Sequence, residues 1–243
     1  MPIGTLTAVE SPAGPAMAWE ELRPVPDFQY RFYGRAAREA PPDPGRPVLA
    51  LRQVHGAGVF LLEPDVPLPD APPEADAVVT ARRDVATVIR VADCCPVLVV
   101  DPAGRAYAHV HAGWRGVVQG VVPRALACLG EEFPLAPEQL QVYVGPAICA
   151  GCYEVGEDVA AAFRDRFGDG AGLLRPAAPG KWWLDLPAAI VRQATAAGVP
   201  ARRCWTSPDC TACRAERYHS YRRERRAGAA GRGRNHSLAW WTG

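Results

Sequence analysis

Short apolar runs rich in valine fill the middle of the chain, and proline, glycine or polar residues bound each of them. Such runs between turn-forming residues are typical of β-strands. A run in which nearly every residue is apolar is typical of a strand that is buried on both faces. The pattern predicts strands at residues 48–52, 58–62, 77–80, 86–91, 96–100, 106–110 and 140–144.

Longer segments with apolar residues at helical spacing alternate unevenly with these strands. We predict helices at residues 116–129, 157–167 and 186–197, the last of which ends before Gly198. Several predicted strands follow one another without an intervening helix, which disfavours a regular doubly wound fold. The order favours an α+β fold, a layered α/β/β/α arrangement with mixed sheets, in one domain over residues 1–243.

Composition and charge are ordinary for a soluble globular protein. The 243 residues are 49% hydrophobic and 22% charged, with a formal net charge of +1, so nothing indicates a nucleic-acid or membrane partner. Residues 1–23 lack the basic start and apolar core of a signal peptide, and the longest apolar run, 94–100, is far shorter than the roughly 20 residues that span a bilayer. Eight cysteines without a secretion signal indicate a reducing compartment, so we expect a cytoplasmic location.

Two histidines and one cysteine stand at predicted strand ends. His55, Cys94 and His111 each follow or end an apolar run, so the three side chains are able to converge. A set of three such ligands leaves one of the four positions of zinc open for water or substrate, as in catalytic zinc sites. The same residues fit two alternatives, a buried cysteine beside hydrogen-bonded histidines and a cysteine nucleophile with a histidine base.

Arginines and glycines near these positions suit an anion. Gly113 and Gly116 flank a strand-to-helix junction, where helix N-terminal amides bind phosphate. Arg115 and Arg52 are able to add bidentate contacts to it, although either is equally consistent with a surface arginine. Further along the chain lies a basic cluster that either binds phosphate or is simply solvated. It consists of Arg222, Arg223, Arg225, Arg226, Arg232 and Arg234.

Two C-x-x-C pairs form a second set of candidate ligands. They are Cys149 with Cys152 and Cys210 with Cys213. Four thiolates in two such pairs build structural zinc sites, but the pairs are much farther apart here than in a compact zinc ribbon. A disulfide or four independent thiols would explain the same spacing.

Several ordered motifs resemble the laccase-domain family, which includes zinc-dependent purine nucleoside phosphorylases and peptidoglycan-editing factors. The longest are RQVHG at 52–56, ADAVVT at 75–80, ADC at 92–94 and HAGWRG at 111–116. Shorter matches follow in the same order at 145–148, 152–156, 185–186, 210–211, 220–223 and 233–234. A series of motifs in order is far more specific than any single one.

This resemblance implies a fold, a metal and a reaction. The fold is a layered α/β/β/α domain of the cytotoxic necrotizing factor-like hydrolase type, in which the residues matching His55, Cys94 and His111 hold zinc. The reaction is phosphorolysis of adenosine, inosine, guanosine or methylthioadenosine, with adenosine deaminase activity in the same pocket, so the partners are a nucleoside and phosphate. The older family label is copper-dependent phenol oxidation, which one three-ligand site does not suit because dioxygen reduction to water needs several coppers.

With this activity in view, we assign expected roles to the neighbouring residues. Arg52 and Arg115 hold phosphate and take part in catalysis, and Arg222 and Arg223 bind substrate or phosphate and close the pocket. Asp93 either orients a ligand or relays a proton, or it merely caps a turn beside a strand end.

Two hypotheses compete with the phosphorylase. One is an amidase, dependent on cysteine or zinc, that edits peptidoglycan precursors, as the editing-factor branch of the family suggests. The other is a non-enzymatic domain that retains a structural zinc and binds a partner through exposed aromatic residues, including Trp240 and Trp241.

Two residues depart from the family pattern. Cys95 adds a thiol next to Cys94, and His109 adds an imidazole two residues before His111. Alternate residues of a strand face the same side. We therefore expect His109 to join His111 at the metal or to support it, and Cys95 to point away from Cys94.

Overall fold

The structure, a computed structural model, describes residues 2–11, 14–22, 24–36, 45–169, 172–229 and 233–242. The strands are β1 (Leu6–Val9), β2 (Ala16–Trp19), β3 (Phe28–Tyr33), β4 (Val48–Ala50), β5 (Val59–Leu62), β6 (Ala77–Thr80), β7 (Ala86–Val91), β8 (Cys95–Val100), β9 (Tyr107–Ala112), β10 (Gln141–Val144), β11 (Glu154–Gly156), β12 (Leu174–Ala178), β13 (Lys181–Leu184), β14 (Cys204–Thr206) and β15 (Asn235–Trp241). The helices are α1 (Trp114–Gln119), α2 (Val121–Glu132), α3 (Glu157–Phe167), α4 (Leu186–Ala196) and α5 (Tyr221–Arg226). Within these ranges, no helix has both the length and the apolar character needed to cross a membrane.

Two six-stranded sheets organise the molecule. The first has the order β1-β2-β3-β15-β7-β4 and the second the order β14-β10-β8-β9-β6-β5, and a small third sheet has the order β11-β13-β12. Each large sheet combines antiparallel pairs with parallel ones, which are β4 with β7, β5 with β6, and β10 with β14. The predicted α+β fold with mixed sheets is confirmed.

The second sheet is covered on both faces. One face packs against the first sheet through large side chains such as Phe32, Tyr107 and Trp241. The other packs against helices α1 to α4 through small aliphatic residues such as Val97 and Val110. Every residue of β8 and β9 is buried as a result. Burial on both faces explains the continuous apolar runs that predicted these strands.

The predicted helix over residues 116–129 is wrong as a single element. It is divided into α1 and α2 at Gly120, whose φ of 83° places it in the left-handed region that glycine adopts without strain. The apolar spacing continues across the break because both helices pack on the same sheet. The predicted helix at 157–167 coincides with α3, and that at 186–197 ends one residue later than α4.

Trp241 is not an exposed aromatic residue, contrary to the expectation of a partner-binding surface. It is fully buried in β15 and makes an edge-to-face contact with Phe28 at a centroid distance of 4.6 Å. Trp240 is only partly buried on the opposite face of the strand. Trp241 therefore packs in the core and gives no support to the hypothesis that exposed aromatic residues bind a partner.

Candidate metal centre and its cavity

The side chains of His55, Cys94 and His111 meet at one end of the second sheet. Their ligand atoms all lie within 4.8 Å of one another, and the two imidazole rings meet edge to face with centroids 4.8 Å apart. His55 lies in the loop after β4, Cys94 in the turn between β7 and β8, and His111 near the end of β9. The sequence prediction that these three strand ends converge agrees with this geometry.

Asp76 holds two of the three ligands in place. Its fully buried carboxylate accepts a hydrogen bond from His111 Nδ1 at 2.7 Å and others from the backbone N–H groups of His55 at 3.0 Å and Gly56 at 2.7 Å. These bonds hold His55 in a left-handed conformation with φ of 61°, which few non-glycine residues adopt. Because Nδ1 of His111 is committed to Asp76, Nε2 is the nitrogen left for a metal.

The three ligands form a charge-stabilised group in the metal-free protein. Burial opposes the thiolate of Cys94, but hydrogen bonds and charge from His111 and His55 outweigh it and lower the pKa of the thiol to about 6. Burial likewise opposes imidazolium at His111, while Asp76 and Cys94 raise its pKa to about 9. A divalent cation would replace the proton of this group and keep the thiolate that a metal requires.

Gly113 leaves room for a metal beside the ligands. A Cβ at this position would lie 3.1 Å from Cys94 Sγ, 3.3 Å from His55 Cδ2 and 3.9 Å from His111 Cε1. The backbone of Gly113 is extended, with φ of −81°, so it does not need glycine for conformational reasons. The space and the nitrogen and sulfur donors together fit a cation such as zinc with one open position.

Replacing Gly113 by alanine should lower metal affinity about 10-fold, because the new methyl group crowds two ligands. The affinity is measured by competition with a chromophoric chelator. Gly58→Ala is the matched control, since its Cβ would meet nothing closer than 3.6 Å. Equal affinity in both variants and the native protein would show that Gly113 does not shape the metal site.

The thiol of Cys94 should be reactive at neutral pH once the metal is removed. Because its pKa is lowered, the thiolate persists at neutral pH and is lost as the pH falls through about 6. Alkylation rates across pH, read by peptide mass spectrometry, should show this midpoint. Cys128 is the internal control, since burial and then Glu132 and Glu131 raise its pKa above the ordinary 9.0. A midpoint for Cys94 near that of Cys128 would contradict the prediction.

His55, Cys94 and His111, the candidate metal ligands, line a cavity of about 740 Å³ that is rich in arginine. Of the described residues, five arginines and one carboxylate, that of Asp93, line its walls, so the cavity suits an anionic ligand. Apolar and aromatic side chains complete it. The arginines are Arg52, Arg90, Arg115, Arg222 and Arg234, and the larger uncharged residues are Trp114, Ile148, Tyr153, Leu186 and Tyr221.

The predicted phosphate-binding arginines differ in their partners. Arg115 is exposed, and its guanidinium lies over the ring of Trp114 at 4.5 Å. Arg52 pairs with Glu74, and Arg222 donates to the carbonyl oxygen of Glu154 at 2.5 Å. Among the described residues, no carbonyl or carboxylate oxygen accepts a hydrogen bond from the guanidinium of Arg115, so its N–H groups are available to a ligand in the cavity.

Arg90 and Arg234 also line the cavity, and neither had a site role predicted from the sequence. Arg90 is the one exposed residue in the otherwise buried strand β7, so a lone charged residue in an apolar run was the available signal. Arg234 belonged to the basic cluster. Arg232 of that cluster lies outside the described residues.

Arg223 lies away from the cavity walls. Its guanidinium donates to the carbonyl oxygens of Thr211 at 2.6 Å, Ala212 at 3.1 Å and Tyr218 at 2.6 Å. These contacts fix the loop that precedes α5. The geometry gives Arg223 a positioning role and offers no support for contact with phosphate.

Asp93 lines the cavity, but both carboxylate oxygens are engaged by protein groups. One accepts from the Thr211 hydroxyl at 2.7 Å and the other from the backbone N–H of Arg222 at 2.6 Å. Its φ of 86° is another left-handed conformation at a non-glycine residue. Asp93 therefore ties the turn that carries Cys94 to the C-terminal segments that close the cavity.

The two departures from the family pattern lie outside the ligand set. His109 is fully buried between the sheets, where one ring nitrogen is 2.9 Å from Thr87 Oγ1 and the other 2.8 Å from Ser237 Oγ. The expectation that it joins or supports His111 at the metal is wrong, because both nitrogens are used elsewhere. Cys95 points to the helix side of the second sheet, away from Cys94, as predicted.

Comparisons with known proteins agree on one family. The family model described as multi-copper polyphenol oxidoreductase laccase matches residues 33–242. A purine nucleoside phosphorylase of Xylella fastidiosa is 40% identical over 195 residues, which cover 78% of this chain and 70% of that protein. A protein named adenosine deaminase RL5, from an unknown prokaryotic organism, is 34% identical over 179 residues, or 71% of this chain and 68% of its own. The crystal structure of YlmD from Geobacillus stearothermophilus matches 98% of this chain and all of its own, with a TM-score of 0.85 and 23% identity.

Proposed function

Since the chain belongs to the multi-copper polyphenol oxidoreductase laccase family, we propose that it is a zinc-dependent purine nucleoside phosphorylase that also deaminates adenosine. The observation that carries this proposal is an open three-ligand group in the wall of an arginine-rich cavity. Relatives with purine nucleoside phosphorylase and adenosine deaminase names support the same conclusion. Adenosine, inosine, guanosine and methylthioadenosine are the proposed substrates.

Phosphorolysis needs an anion held beside the sugar. A phosphate oxygen bonds to the anomeric carbon of the ribose as the bond to the purine breaks, and the electron pair leaves with the purine, which takes up a proton. Arg52, Arg115 and Arg222 would hold the phosphate, because guanidinium groups match its oxygens. The faces of Trp114 and Tyr153 would pack against the purine.

The ligands fit zinc better than magnesium or calcium, because imidazole and thiolate are softer donors than the oxygens that those ions prefer. When bound by His55, Cys94 and His111, zinc would supply a Lewis acid. Asp76 would keep His111 in the tautomer that presents Nε2 to the metal. Asp93 would act as a positioning residue, since its oxygens already bind Thr211 and Arg222.

A second candidate is an amidase that edits peptidoglycan precursors with Cys94 as its nucleophile. The specific observation in its favour is the lowered pKa of the Cys94 thiol beside His111. A cysteine amidase needs the thiolate without a metal. The phosphorylase needs the metal, so chelation separates the two reactions.

The test compares purified protein on inosine and on a nucleotide-linked muropeptide. We expect hypoxanthine and ribose 1-phosphate in equal amounts, only when phosphate is present, with loss after chelation and recovery when zinc is returned. Adenosine without phosphate should yield inosine and ammonia. Amide cleavage that survives chelation, without any base release, would instead establish the amidase.

Arg115→Met should raise the KM for phosphate about 10-fold, which corresponds to loss of one charge-assisted contact. The KM for inosine should change little, because the contact is made to phosphate. Arg175→Met is the matched control, since Arg175 is an exposed arginine in β12 that does not line the cavity. An unchanged KM for phosphate in Arg115→Met would remove Arg115 from the phosphate site.

A further inference from the structure

Four cysteines come together at a second place in the fold. The Sγ atoms of Cys149, Cys152, Cys210 and Cys213 all lie within 4.8 Å of one another, and those of Cys152 and Cys213 are 3.4 Å apart. Four sulfurs at about 2.3 Å from a tetrahedral zinc are separated by about 3.8 Å from one another. The spacing of the cluster is therefore close to that of a four-thiolate metal site.

The backbone presents the two C-x-x-C pairs to each other. Ala147 and Cys210 form a parallel bridge, in which the N–H of Thr211 donates to the carbonyl oxygen of Ala147 at 3.0 Å. The first pair lies in a tight turn, because the N–H of Cys152 donates to the carbonyl oxygen of Cys149 at 3.0 Å. The N–H of Cys149 also donates to Cys210 Sγ at 3.3 Å, which stabilises a thiolate. Two turns that face each other in this way hold four sulfurs around one point.

A guanidinium group lies next to the second turn. Arg223 donates to the carbonyl oxygens of Thr211 and Ala212, the two residues between Cys210 and Cys213. Four thiolates with one divalent cation carry a net negative charge, and this arginine places positive charge beside it. The contact gives a reason for the position of Arg223, which lies away from the cavity walls.

We propose that Cys149, Cys152, Cys210 and Cys213 bind one structural zinc ion, separate from the candidate metal centre. All four positions of the ion are filled by protein, so the site has no place for a substrate. It joins two segments that are 61 residues apart, and the first of them adjoins the cavity wall. Ile148 and Tyr153 adjoin the first pair, and Thr211, which binds Asp93, lies within the second.

The zinc content of variants tests this proposal without reference to catalysis. In the His55→Ala/Cys94→Ala background, which removes two ligands of the first site, about one zinc per chain should remain. Adding Cys152→Ser or Cys213→Ser should bring the content close to zero, whereas adding Cys128→Ser should leave it unchanged. Cys128 is a matched control because it is a half-buried thiol outside both groups.

Cobalt reconstitution in the same His55→Ala/Cys94→Ala background, which has no Cys94 thiolate to bind cobalt, covers the case in which a serine variant does not fold. Cobalt should give strong sulfur-to-metal charge-transfer absorption, and Cys213→His should keep the metal with weaker absorption, since imidazole replaces one thiolate. The proposal is overturned if the double-variant background contains no zinc. It is also overturned if the four cysteines form disulfides after purification under reducing conditions, or if the metal found is iron.

Discussion

Replacing Cys94 by alanine should remove about one zinc per chain and lower kcat/KM for inosine phosphorolysis by about 1,000-fold or more. The thiolate is the anionic member of the three-ligand group, and two neutral imidazoles hold a divalent cation far more weakly. Metal analysis and phosphate-dependent hypoxanthine release are measured on the same sample. Both losses have one physical cause, so they should occur together.

Cys128→Ala controls for the loss of a partly buried thiol away from the cavity and should keep both zinc and activity. His55→Ala should reproduce the effect of Cys94→Ala, because each substitution removes one metal ligand. His55 carries no thiol, so the same loss in both variants would come from the metal and not from a missing nucleophile. A difference between the activities of the two variants would distinguish a metal-dependent reaction from one with a cysteine nucleophile. If Cys94→Ala loses activity while His55→Ala and chelated protein retain it, Cys94 is a nucleophile and the metal reaction is wrong.

Replacing Asp76 by asparagine should lower metal affinity by about 10- to 100-fold and destabilise the protein by about 3 kcal/mol. One carboxylate oxygen accepts from His111 and His55, and the other accepts from Gly56. An amide has one acceptor oxygen only. In either orientation its NH2 group faces an N–H donor, so a buried donor loses its partner. Chelator competition measures the affinity, and chemical unfolding of metal-free protein measures the stability.

Asp101→Asn separates these two effects. Asp101 is a buried carboxylate that accepts from Arg105 and from backbone N–H groups, and it does not line the metal-binding cavity. The substitution should reduce stability by a similar amount without changing metal affinity at the first site. If Asp76→Asn affected stability alone, Asp76 would be a folding residue with no influence on the ligands.

The centre of the chain is the part of the fold that the sequence predicted best. Strands such as β8 and β9 are covered on both faces, so their positions are almost all apolar and stand out from the turns around them. Strands β1 to β3 and β11 to β15 were not predicted. They are short or carry polar residues on one face, and tertiary pairing rather than local pattern decides their structure.

The three candidate ligands could be predicted from the sequence, but the residues that hold them in place could be predicted less well. Histidine and cysteine at strand ends indicated that three possible ligands would come together, and the ordered motifs identified the same three residues. Asp76 lies within one of those motifs, yet its role depends on contacts with His111 and the 54–56 loop that no local spacing reveals. The prediction that His109 joins or supports His111 was wrong. The alternation of a strand predicts the face of the sheet on which a side chain lies, but not the residues it contacts, which for His109 are Thr87 and Ser237.

The position of β15 in the first sheet has a consequence for how the protein reaches this structure. It pairs with β3 on one side and β7 on the other, so residues near the two ends of the chain become neighbours in one sheet. Such contacts of high sequence separation slow folding, because the entropy of closing a long loop is lost before the strands pair. Until β15 inserts, β3 and β7 expose backbone groups and apolar side chains that favour aggregation. Expression yield and refolding should therefore depend strongly on the C-terminal strand.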